Sequence, residues 1–345
     1  MRILLLAPPN YEFSVEIKKE LENQGHIVNY VEDKTFELDY FLSYNNKSKR
    51  FLKYILGKST KRKEQYWNYL FNAGGELYQK EFDFLLCING YSLCSSFFSK
   101  FNEYSQKAPR VYYLWDSTRL YAFNKNFEFF DKCYTFDYKD AKDFQIEYLP
   151  MFWLPSECES MQPASPRVFF VGSIHSDRYK ILKKIVMQLD NMGINHYIIL
   201  YVPNTKKPLL GLRASINLIL GVDNVINDLY RIHNGDDSSY VVHEPIDLAT
   251  FNKEMIASTH IIDIEQPCQT AMTPRVIQAL SQNKHIISTN KWLVGQISPD
   301  YLTIIDRNNP KIDEAFDKSL YSLTMGSNDV IELRLDNWIR TLISF

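Results

Sequence analysis

The chain has 345 residues, 45% of them hydrophobic and 23% charged, which is enough apolar material for two ordinary globular domains. A formal net charge of -2 supplies no global positive field, so nucleic acid is not an expected partner. The five cysteines, Cys87, Cys94, Cys133, Cys158 and Cys268, are scattered without the paired spacing of a zinc or redox centre. A reduced, cytoplasmic chain with no metal and no cofactor is the expectation.

In chain order, the apolar run from Ile3 to Ala7 stops at Pro8-Pro9-Asn10, far short of a bilayer span, and predicts a buried first strand rather than a signal segment. Residues 13–24 place Val15, Ile17 and Leu21 among charges as a helix does, Gly25 stops it, and 26–31 read as a second strand. Residues 47–63 carry many cations and no acid, interleaved with Phe51, Leu52, Tyr54, Ile55 and Leu56. Such a stretch suits an anionic membrane surface or a lipid-linked acceptor, and equally a solvated helix face. Further strands are predicted at 84–88, 111–115, 133–136 and 148–152, an alternation that implies a mostly parallel sheet covered on both faces.

The proline- and serine-rich stretch before Pro166 predicts a linker at 156–166, dividing residues 1–155 from a second α/β series over 167–328. That series has strands at 168–171, 197–202, 240–242, 260–264 and 285–288, with helices at 177–191, 247–258 and 273–282. A final amphipathic helix falls within 329–345. The fold class is α/β, with two Rossmann-like domains in tandem.

Open parallel sheets bind ligands at the carboxyl ends of their strands. The densest such segment runs from His260 to Asn290 and contains Gln-Thr-Ala-Met-Thr-Pro-Arg over 269–275, Gln-Ala-Leu over 278–280 and Lys-His-Ile-Ile-Ser-Thr-Asn over 284–290. It resembles the donor-binding strand-loop-helix-strand of bacterial GT-B glycosyltransferases, especially the group related to CgeB and to lipopolysaccharide and capsule transferases. The resemblance implies two domains facing across a cleft, with the acceptor on the N-terminal domain and a nucleotide-sugar donor on the C-terminal one. It also implies a last helix that crosses back to the N-terminal domain. Arg167 to Lys180 resembles the Phe-x-Gly-Ser loop that opens the C-terminal domain of that group, with Gly172 allowing close backbone approach and Ser173 offering a hydroxyl.

The residues support the comparison. Thr273 can cap a helix, Pro274 suits its first position, and Arg275 in the first turn opposes the helix dipole unless an anion is bound there. Arg275, helix N–H groups and the hydroxyls of Thr270 and Thr273 would hold a donor pyrophosphate, with Arg178 a further phosphate contact; a capped helix whose Arg meets a surface carboxylate is the alternative. The resemblance puts Gln278 where related enzymes carry a ribose-binding Glu. Glu265 can accept from sugar hydroxyls, or, like Asp263, cap the loop or pair with Arg275. His243, after a strand, is a candidate base or ribose contact.

In the first half, Asp116 ends a strand in Trp115-Asp116-Ser117 and is the leading candidate to take the acceptor proton, with Asp137 second; capping the following helix is the competing role for Asp116. Asn10, Asn89, Gly90 and Trp115 are expected acceptor contacts. Without a metal-ligand pattern, departure of the nucleotide is expected to rely on Arg275 and helix N–H groups. The expected activity is sugar transfer to a cell-surface glycan or lipid-linked acceptor at the inner face of the plasma membrane. A sugar-nucleotide epimerase on the same fold and a non-catalytic nucleotide- or sugar-binding protein are the other readings.

Overall fold

The computed structural model describes residues 1–9, 12–33, 59–155, 165–203, 210–219, 225–235, 238–316 and 330–344. Asn10, most of the expected linker at 156–166 and most of the basic stretch at 47–63 lie outside the described residues. The chain divides into two units, one of Met1–Pro150 with Leu335–Phe345, the other of Met151–Arg334.

In the first unit, β1 (Arg2–Ala7), β2 (Ile27–Glu32), β3 (Phe84–Ile88), β4 (Arg110–Leu114), β5 (Lys132–Thr135) and β6 (Glu147–Tyr148) form one sheet in the order β2-β1-β3-β4-β5-β6. Every pairing is parallel. The central strands are apolar on both faces, as a doubly covered parallel sheet requires, and Ile3 to Ala7 and Leu85 to Ile88 have no exposed surface. Helices α1 (Phe13–Asn23), α2 (Ser59–Phe71), α3 (Ser95–Ser105) and α4 (Tyr138–Phe144) connect them. Part of the aromatic content fills the layer under α2 and α3, where the rings of Trp67 and Phe97 lie 4.5 Å apart. The strand expected at 148–152 ends at Tyr148. Pro150 has no N–H to add to a ladder, which accounts for the shorter strand.

The second unit repeats the plan with β7 (Arg167–Ser173), β8 (Asn195–Tyr201), β9 (Val241–Val242), β10 (His260–Asp263), β11 (His285–Ser288) and β12 (Leu302–Ile304) in the order β12-β11-β10-β7-β8-β9. These pairings are parallel too. Its helices are α5 (Arg178–Met192), α6 (Leu210–Ile219), α7 (Val225–His233), α8 (Leu248–Ile256) and α9 (Pro274–Ser281). Asp247 caps α8 by accepting from the Thr250 N–H at 2.7 Å, and Thr273 caps α9 by accepting from the Val276 N–H at 3.3 Å.

The last helix, α10 (Leu335–Ile343), belongs to the first unit. Trp338 is fully buried, donates its indole N–H to the Pro150 carbonyl at 3.0 Å and packs edge-on against Tyr113 at 4.8 Å. No helix among the described residues is long and apolar enough to cross a membrane.

Candidate functional site

In the second unit, β7 and β10 are neighbours, so the loops leaving their carboxyl ends lie side by side. Arg275, in the first turn of α9, donates to Asp263 at 2.8 Å and twice to the Val171 carbonyl, at 3.1 and 3.0 Å. Arg178, the first residue of α5, is buried and donates to the carbonyls of Ser173 at 2.6 Å and Ile264 at 3.2 Å. Both guanidiniums lie over the Phe170 ring, at 4.6 Å for Arg275 and 5.5 Å for Arg178. Gly172 makes room for them: a Cβ there would stand 2.9 Å from Arg275 Nη2 and 3.0 Å from Arg178 Nη1.

A third guanidinium joins from beyond β12. Arg307 grips Asp177 with two bonds of 2.9 and 2.7 Å, and reaches the Glu265 carboxylate at 2.6 Å and the Glu265 carbonyl at 2.9 Å. Asp177 stands at the N-cap position of α5, but its carboxylate makes no cap bond and serves Arg307 instead. Burial pushes the Glu265 carboxyl up, against the opposing pull of Thr289 and Arg307. Asp263, with no exposed surface, accepts from the hydroxyls of Thr273 at 2.7 Å and Ser288 at 3.1 Å as well as from Arg275.

His175 reports the field of this group. Burial first, and then the charges of Arg178, Arg275 and Arg307, push its imidazole down to about 3, so it is neutral at physiological pH.

The structure therefore brings Gly172, Ser173, Arg178, Glu265, Thr273 and Arg275 to one end of the β7–β10 pair. Thr270 is buried in the loop between β10 and α9. His243 stands after β9 with Nδ1 2.9 Å from the Val202 carbonyl oxygen. Gln278 has a different occupation from the ribose contact expected of it: its amide accepts from the Leu154 N–H and donates to the Leu154 carbonyl, both at 3.0 Å. In this structure it braces the chain that enters the second unit.

In the first unit, Asn89 directly follows β3 with its backbone at φ 62° and organises the end of β4. Its side-chain oxygen accepts from the N–H groups of Trp115 at 2.9 Å and Asp116 at 3.3 Å, while its amide donates to the Asp116 carboxylate at 2.8 Å. The Tyr91 hydroxyl donates to the same carboxylate oxygen. Gly90, at φ 68°, holds the turn between them, where a Cβ would lie 2.4 Å from Leu93 Cδ1. Asp33, buried at the end of β2, fixes that turn by accepting from the Ser92 N–H at 2.8 Å and the Tyr91 N–H at 2.5 Å. Trp115 is buried, and its indole N–H has no hydrogen-bond partner among the described residues.

No helix starts at Asp116, the next element after β4 being a 3-10 helix at Phe123–Phe129, so the capping role considered for it does not arise. Asp137 is the carboxylate that caps: it accepts from the N–H groups of Lys139 and Asp140, both at 3.1 Å, and receives two bonds of 2.7 Å from Arg119.

No protein-family model matches the chain, and no curated protein matches it in sequence. Solved structures do match in shape. The glycotransferase of kitacinnamycin is similar with a TM-score of 0.50 and 10% identity, over 99% of this chain and 97% of that one. AviGT4, a glycosyltransferase involved in avilamycin A biosynthesis, gives the same score and identity over 99% and 93%. The chain has the GT-B fold.

Within this GT-B chain, sequence reasoning missed Asp33, Tyr91 and Arg307 as members of the two groups. Asp33 follows β2, so the strand-end rule that found Asp116 reaches it also, whereas Arg307 follows β12, a strand of three residues that the sequence pattern does not announce. Tyr91 carried no such signal, because its role depends on a turn that Asp33 holds from a distant segment.

Proposed function

We propose that this chain is a glycosyltransferase that moves a sugar from a nucleotide-sugar donor, bound in the second unit, to a glycan or lipid-linked acceptor. The observation that carries the reading is the convergence of Arg275, in the first turn of α9, and Arg178, at the start of α5, over the Phe170 ring and beside Gly172 at the carboxyl end of β7. This is the environment a diphosphate needs. The resemblance of residues 260–290 to the donor segment of lipopolysaccharide and capsule transferases supports the same acceptor class and a place at the inner face of the plasma membrane. The basic stretch at 47–63 is then a contact for anionic lipid.

In the step proposed, an acceptor hydroxyl attacks the anomeric carbon of the donor and passes its proton to Asp116. The bond from that carbon to the diphosphate breaks, and its electron pair leaves on the nucleotide. Guanidinium charge and helix N–H groups stabilise that leaving group, so no divalent ion is required. Asn89 and Tyr91 orient Asp116 by donating to it. The test is a panel of nucleotide sugars incubated with the chain and a bacterial lipid-linked glycan extract. Release of nucleoside diphosphate that depends on the acceptor and survives chelator supports the reading, and a panel with no acceptor-dependent release contradicts it.

A further inference from the structure

The loop that leaves β4 presents an aromatic ring to solvent from a fixed mount. Tyr121 is 47% exposed. Thr118 anchors the loop by donating its N–H and its hydroxyl to the buried Asp140, at 2.7 and 2.8 Å. The N–H groups of Leu120 and Tyr121 then close on the Ser117 carbonyl, at 2.9 and 3.3 Å, and the buried Phe123 supports the Tyr121 ring with 5.4 Å between centroids. A ring held in place before any ligand arrives needs little further ordering when one binds.

Its neighbours give the chemistry. Tyr91 meets Tyr121 edge to face, with centroids 5.0 Å apart and planes at 88°, and the same Tyr91 donates its hydroxyl to Asp116. The half-buried Asp116 carboxylate and the exposed ring are therefore one tyrosine apart. Burial first, and then the Asp116 charge, push the Tyr121 hydroxyl up, so it remains a donor at physiological pH. An aromatic face beside a carboxylate suits a pyranose, because the ring takes the apolar C–H face of the sugar while the carboxylate accepts from its hydroxyls.

Charge narrows the class further. Lys63 donates to the Tyr91 carbonyl, and Arg119 is paired with Asp137 at 2.7 Å and Asp140 at 2.8 Å, so both cations are engaged. Against them stand the carboxylates of Asp33, Asp116, Asp137 and Asp140, and a phosphate or carboxylate on the ligand would meet that excess of negative charge. An ammonium is the other species that rings and a carboxylate attract. Asn89 and Tyr91 already donate to one oxygen of Asp116 and take up part of its charge, which favours hydroxyl donors over a full cation.

We infer that Tyr121 is the stacking platform for an uncharged pyranose ring whose hydroxyls reach Asp116, so that the acceptor presents a neutral sugar here rather than a phosphate, a uronic acid or an amine. The acceptor role rests on the proposed sugar transfer; the binding of the sugar does not need it.

The test is saturation-transfer NMR and affinity titration of the full chain, without any donor, against methyl glycosides of glucose, galactose, mannose and N-acetylglucosamine, with methyl glucuronide and tetramethylammonium beside them. At least one neutral glycoside should bind through its ring C–H protons. Tyr121→Phe should retain that binding, and Tyr121→Ala should weaken it about three- to tenfold. Tyr121→Leu, which keeps apolar bulk without an aromatic face, should lose it as well with an unchanged melting midpoint. Binding of no neutral glycoside, equal affinity for the Ala and Leu variants, or tighter Tyr121-dependent binding of glucuronide or tetramethylammonium overturns the inference. A chain that binds the glycoside through Tyr121 but transfers no sugar upholds this inference and removes the proposed function, whereas acceptor-dependent transfer with no Tyr121-dependent glycoside binding does the reverse.

Discussion

Asp116 and Asp137 follow neighbouring strands of the first sheet, and their neighbours give them different work. Asp137 is consumed by a helix cap and Arg119, whereas Asp116 is half-buried and held by the Asn89 amide and the Tyr91 hydroxyl. If Asp116 accepts the acceptor proton, Asp116→Asn should keep the fold and donor affinity and lower turnover by about 10² to 10⁴. Steady-state kinetics with a working acceptor checks this, and near wild-type turnover removes Asp116 from the reaction. Strand-end position made Asp116 legible in the sequence. That Asp137 was already committed was not legible, because Arg119 reaches it across 18 residues.

Histidines give a second residue-scale prediction. Burial, with the neighbouring His285 adding to it, lowers His260 to about 4, and His260 is only 1% exposed. The unfolded chain then binds more protons than the folded one between about pH 6.5 and 4, so stability is full above that window and falls as pH drops through it. His260 alone should account for roughly 2–3 kcal/mol of that loss. Denaturant midpoints measured from pH 7 to 4.5 should show the decline, and a His260→Asn variant should show a shallower one.

At the scale of elements, α9 shows what periodicity and capping rules reach. Thr273, Pro274 and Arg275 announced the helix start correctly, and the structure uses Thr273 twice, for the Val276 N–H and for Asp263. Thr273→Ala should therefore cost about 1–2 kcal/mol of stability, the upper part of the range for a cap, because the buried Asp263 loses a donor too. Chemical denaturation measures it, and a loss below about 0.5 kcal/mol would show that the cap alone matters little. On the same helix, the engagement of Gln278 with Leu154 was hidden, since it joins residues 124 apart through two backbone bonds. Arg307 was hidden for a similar reason: one arginine after a short strand gains meaning only once Asp177 and Glu265 are beside it.

For the whole molecule, the two parallel sheets were legible as two series of apolar runs separated by helical periods, and strand order was not, since periodicity carries no pairing information. The return of α10 to the first unit rests on Trp338, whose surroundings come from Pro150 and Tyr113. Trp338→Ala should cost about 3–5 kcal/mol, read as a lowered denaturation midpoint of the unit formed by residues 1–150 and 335–345. The proposed function requires that the guanidinium group of the second unit receive the diphosphate of a sugar nucleotide. Calorimetric titration of a panel of nucleoside diphosphates tests it most directly, with the wild-type chain and with Arg275→Gln, which can still donate to Asp263 but carries no charge. At least one diphosphate should bind, and the variant should bind it more weakly by about 1.5–3 kcal/mol; no binding across the panel, or equal affinity for the variant, would rule out a diphosphate site there.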